Sequence, residues 1–83
     1  MADQKDKVQL NLQEAGISQG ERFRHYKGGE YQIIACAVKE DTLEPLIIYQ
    51  SLLKGSIWAR TLKNWNEEVE IDGKLIKRFK KLA

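Results

Sequence analysis

The chain is poor in the residues that most often do chemistry: 83 residues contain one cysteine and one histidine, and also a single proline. Cys36 therefore has no partner for an internal disulfide, which points to a reducing compartment. A metal centre needs three or four converging His, Cys or carboxylate ligands, and His25 and Cys36 fall short of that set. Nucleophilic catalysis is equally poorly served. His25 is the only imidazole, and neither Ser51 nor Ser56 sits in a strained G-x-S-x-G elbow. Lys27-Gly28-Gly29 lacks the spacing of a phosphate-binding loop and the helix that follows one. No cofactor motif is present. Long apolar runs are missing too: nothing approaches the roughly 20 residues of a membrane-spanning helix. Met1 to Lys7 is polar and charged, unlike a secretory leader. The expectation is a soluble cytoplasmic protein without metal, cofactor or membrane contact.

What is present is an ordinary folding composition, with 42% hydrophobic and 31% charged residues, and length for one small domain. The net charge of +2 hides an asymmetry. All twelve acids fall before residue 74, whereas Lys74, Lys77, Arg78, Lys80 and Lys81 crowd the last ten positions. Such a tail attracts phosphate polymers weakly and without sequence preference, and it equally suits a solvated strand face.

Met1 to Gln19 reads as an N-terminal extension, with room for a short strand at Val8 to Leu12 or one helical turn. From residue 20 to 83, turn residues divide a single domain into short strands. Glu21 to Tyr26 ends at the Gly28-Gly29 turn. Glu30 to Lys39 follows, with Tyr31, Ile33, Ala35 and Ala37 on one face and Ile34, Cys36 and Val38 on the other, the pattern of a central strand covered on both sides. Pro45 enters the strand Leu46 to Leu53, and Lys54-Gly55-Ser56 turns the chain into Ile57 to Leu62. Leu62 to Glu67 reads as one helical turn presenting Leu62 and Trp65 to the core. Asp72-Gly73 is a strong hairpin signal, with acids before it and Lys74, Lys77 and Arg78 after it. The pattern predicts a mainly β fold: a small antiparallel SH3-like barrel of five to six strands with a helical turn near residues 62 to 67.

Several motifs in order resemble one bacterial family. They are Phe23-Arg24-His25-Tyr26-Lys27-Gly28-Gly29 followed by Tyr31, then Asp41-Thr42-Leu43-Glu44-Pro45, Ile48-Tyr49, Trp58-Ala59-Arg60, Asp72-Gly73-Lys74 and Arg78-Phe79. In this spacing the chain resembles the family catalogued as domain of unknown function 1653, over about residues 20 to 80. The resemblance implies relatives but no activity, substrate or cofactor. Thr61 stands where the family pattern usually has proline, and Trp65 where it usually has phenylalanine. Lys39 replaces a frequent histidine, which weakens any role for a histidine there.

Binding is the better physical reading, because a domain this small cannot fully bury seven aromatic residues. Trp58 and Arg60 project from one strand face, where an indole can stack a planar group and a guanidinium can hold an anion. Tyr26, Lys27 and Tyr49 are candidate neighbours, with His25 and Arg78 as further contacts. The candidate ligands are a nucleic-acid segment, a peptide or a small anion. Core packing is the competing account of Trp58 and the stronger one for Tyr31, Trp65 and Phe79. Two alternatives stay open. One is a small enzyme or accessory domain using His25 with Arg60 and Arg78; the other is a structural module whose sheet edge or N-terminal extension pairs with another copy or another protein, and the expected state is a monomer or weak homodimer.

Overall fold

The computed structural model describes residues 16–82. The segment expected at Val8 to Leu12 lies outside them, with most of the N-terminal extension. Seven strands and one helical turn follow one another along the described chain. Strand β1 (Arg22–His25) turns through Lys27 to Gly29 into β2 (Glu30–Val38), and Pro45 opens β3 (Pro45–Ser51). Gly55, at φ +76°, turns β3 into β4 (Ile57–Thr61). The helical turn α1 (Leu62–Trp65) follows directly, then β5 (Glu68–Ile71), β6 (Lys74–Lys77) and β7 (Phe79–Lys81). All pairings are antiparallel. No helix among the described residues is long and apolar enough to cross a membrane.

Local chemistry accounts for most of these boundaries. Asp72 and Gly73 both take left-handed φ angles, +53° and +78°, the pair that lets a two-residue turn match strand twist. α1 starts where Thr61, in extended conformation, accepts a hydrogen bond from the Asn64 amide at its hydroxyl.

The fold is mainly β, with a single helical turn, but the strands form an open five-stranded sheet ordered β4-β3-β2-β1-β7 and a separate β5-β6 hairpin. The barrel expectation differs at this point. Closure requires β4 and β7 to share ladder bonds, yet the chain leaves β4 through α1 and the hairpin and returns beside β1, on the opposite edge.

A second difference concerns β2. Ile33 pairs with Tyr49 but Ala35 pairs with Ile48, so Ile34 is an extra residue in a bulge. The side-chain phase slips by one beyond it. Tyr31 and Ile33 share the core face, but Cys36 replaces Ala35 on that side, and Ala35 is exposed. β2 is central, as its apolar content suggested, and among the described residues only one of its faces is covered.

That covered face carries the core. Phe23, Ile33, Ile47, Tyr49 and Phe79 come from the sheet, Trp65 from α1 and Ile17 from the segment before β1. Trp65 lies flat on Phe79, with ring centroids 3.7 Å apart, while Phe23 and Tyr49 meet Trp65 edge-on at 5.2 and 5.1 Å. Such aromatic pairs add roughly 0.5–1.5 kcal/mol each beyond the area they bury.

Candidate functional site

The core face runs on past the helical turn toward the β1–β2 turn, and there it opens. Residues directly opposite in an antiparallel pair share a face. Trp58 lies opposite Tyr49, and Arg60 opposite the fully buried Ile47, so both project from β4 on the core side. His25 lies opposite Phe79 on the same side. α1 packs on β3 and β4 but leaves this end uncovered, and Trp58 at the edge remains 54% exposed.

The result is a cleft of about 290 Å³. Tyr31, Tyr49 and Phe79 form its aromatic floor, Trp58 and Arg60 one wall, and His25, Lys27 and Gly29 the other. Gly29 is needed for space: a Cβ there would sit 3.0 Å from the Tyr31 ring. A shallow depression of about 550 Å³ shares Gly29, Tyr31 and Trp58 with the cleft and continues toward Leu52 and Lys54.

Each polar side chain has a definable job. Arg60 is braced twice, donating from Nε to the Tyr49 hydroxyl at 3.2 Å and from Nη1 to Asn64 Oδ1. Its guanidinium also sits 5.3 Å from the centre of the Phe79 ring. These interactions leave the Nη2 amino group with no protein acceptor among the described residues. Trp58 donates from its indole nitrogen to the Ser56 hydroxyl at 2.9 Å, fixing the ring while its face stays open.

His25 Nδ1 accepts a hydrogen bond from the Lys27 amide at 3.1 Å. The neutral ring therefore carries its hydrogen on Nε2 and offers a donor. Its pKa lies below the usual 6.5, first because burial disfavours the charged ring, then because Arg60, Arg78 and Lys27 repel a further positive charge. The cleft is thus lined by Lys27, Arg60 and a neutral donor, and no carboxylate of the described residues lines it. Positive charge gathered on an aromatic floor suits an anion that carries a flat group.

His25, Lys27, Tyr49, Trp58 and Arg60, singled out from the sequence, come together in this cleft. Tyr26 and Arg78 do not line it. Tyr26 stacks obliquely on His25, at 4.5 Å between ring centres, and lines a different depression. Arg78 lies mostly buried, 3.9 Å from Glu67, and reaches the cleft only through its charge on His25. Both lie just outside the strands, Tyr26 in the turn after β1 and Arg78 in the bend before β7, so neither is held in register beside the cleft.

Sequence reasoning missed Gly29, Tyr31 and Phe79 as lining, and Asn64 and Ser56 as braces. Phe79 was the hardest to foresee, because its place depends on β7 pairing with β1. For Gly29 a signal existed: a second glycine beside Gly28, two residues before a tyrosine. Cys36 offers no reactive thiol, since burial pushes its pKa up.

Residues 21–81 match the family described as protein of unknown function (DUF1653). A crystal structure of a DUF1653 protein from Bordetella bronchiseptica is similar at 29% identity and a TM-score of 0.67, covering 78% of this chain and 86% of that one. No curated protein matches the chain. With the family pattern spanning every strand of the sheet and hairpin, the chain belongs to the DUF1653 family.

Proposed function

We propose that this domain is a binding module whose cleft, between β4 and the β1–β2 turn, takes a small anionic ligand bearing a planar group. One observation carries the reading: Lys27, Arg60 and His25 converge without a carboxylate beside an indole whose face is open. The anion accepts hydrogen bonds from the unshared Arg60 amino group and from His25 Nε2, while Lys27 supplies charge. The planar group stacks on Trp58 and extends along the shallow depression beside it. Arg60 is pre-positioned by Tyr49 and Asn64, so little side-chain freedom is lost on binding.

Binding is preferred over catalysis because His25 presents a hydrogen in its neutral form, which suits a donor better than a base. Adenosine monophosphate and uncharged adenosine are suitable probes in a nitrogen–proton NMR titration. The nucleotide is expected to shift the Lys27 and Gly29 amides and the Trp58 indole, and adenosine is expected to bind far more weakly. Trp58→Ala should stay folded and lose about tenfold or more in affinity, the scale of one stacking interaction. Nucleotide-induced shifts confined to other regions, or an unchanged affinity in folded Trp58→Ala, would refute the reading.

A further inference from the structure

We infer that the ligand of this cleft is a single-stranded nucleic acid, which crosses the end of β1 and continues onto the outer face of the sheet. The inference rests on the binding reading above and deepens it.

Its basis is a second depression, of about 570 Å³, that shares His25 with the cleft and is lined by Arg24, Lys77 and Lys80 together with Tyr26 and Ile76. Arg24 and Lys80 are cross-strand partners, so two cations stand directly opposite each other. Like charges in that position destabilise a sheet. On its other side Arg24 meets Glu30 at 2.8 Å, which answers one of the two. Lys80 makes no ion pair among the described residues, and Lys77 makes none either, although it lies opposite Glu68 across the hairpin. No carboxylate of the described residues lines this depression either.

Strand alternation places Arg24 and Lys80 on the face opposite Phe23 and Phe79. The two cationic depressions therefore lie on opposite sides of β1 and meet at its end, where His25 and Tyr26 stack. A ligand touching both needs at least two separated negative charges and a backbone that bends sharply. A nucleic-acid duplex is far too stiff over that distance, whereas a single strand turns freely. Aromatic rings line both sides, the open face of Trp58 in the cleft and, beyond it, Tyr26, itself stacked on His25, and base stacking on such rings favours nucleic acid over an acidic peptide.

The test compares adenosine monophosphate with a fluorescein-labelled hexa-adenylate in the intact chain and in Lys77→Ala/Lys80→Ala. The hexanucleotide should bind about tenfold or more tightly than the mononucleotide, from added stacking and phosphate pairing. The double variant should keep the mononucleotide affinity, and the slope of log affinity against log salt should shrink by about 1.4, or roughly 0.7 for each phosphate no longer neutralised. Three outcomes would overturn the inference while sparing the cleft: a hexanucleotide no tighter than the mononucleotide, a double variant with unchanged slope, or a hexaglutamate or a duplex that competes equally well. If the mononucleotide fails to bind at all, the cleft reading falls first and this inference falls with it.

Discussion

The two sheets of this molecule are written in the same alternating style and reach different ends. In the five-stranded sheet, Ile33 and Ile47 are 1% and 0% exposed. In the β5-β6 hairpin, Leu75 is 66% exposed and Ile71 42%. Alternation and a good turn suffice to pair two strands, but burial needs another layer, and Trp65 of α1 supplies that layer to only one sheet. The hairpin is held instead by its ladder and by the left-handed pair Asp72-Gly73. A two-stranded unit of this kind is marginal alone. Stability is thus concentrated where the aromatic floor lies, and the cleft is carved into the strongest part of the fold.

The sharpest way to break this contrast is to truncate one side chain in each sheet. Phe79→Ala removes the ring stacked on Trp65 and should cost about 3–5 kcal/mol in urea unfolding, whereas Ile76→Ala in the hairpin should cost under about 1 kcal/mol. Equal losses would erase the distinction. A smaller and more local effect is expected from Gly73→Ala, which forces a side chain into the left-handed region at about 1–2 kcal/mol. Amide exchange should accelerate at Val69 and Ile76 and stay unchanged at Ile33 and Tyr49; uniform acceleration would mean that the hairpin and sheet unfold as one unit.

The smallest effect concerns His25. Its folded pKa is depressed, so the unfolded chain takes up the proton first as pH falls. The stability present above about 6.5 is therefore lost as pH drops through the window below that value, levelling once the folded ring is protonated as well. His25→Gln should flatten that part of the stability profile, and a profile that keeps its shape would place the titration elsewhere.

Much of the architecture was readable because local chemistry governs it. Asp72-Gly73, Gly55 and Pro45 mark chain reversals and a strand start by backbone preference alone, and Thr61 and Trp65 bracket a helical turn. The Trp58 and Arg60 wall was visible as an i, i+2 pair on one strand. The bulge at Ile34 was not, because every residue from Ile33 to Val38 is apolar or small and either phase of β2 looks equally good. The return of β7 to the far edge was invisible for another reason: it depends on long-range pairing between Phe79 and His25 that no neighbouring residue encodes. Arg78 looked like a partner for Arg60 by type, but it sits in the bend before β7, 3.9 Å from Glu67.

The two indoles described above sit in opposite circumstances, Trp65 3% exposed against Phe79 and Trp58 54% exposed at the rim of the cleft. Light emitted by the first is shielded from an aqueous quencher such as iodide, while that from the second is not. One emission spectrum of the unlabelled chain thus divides into an interior channel that follows unfolding and a surface channel that follows occupancy, so release of ligand and collapse of structure can be told apart in the same cuvette.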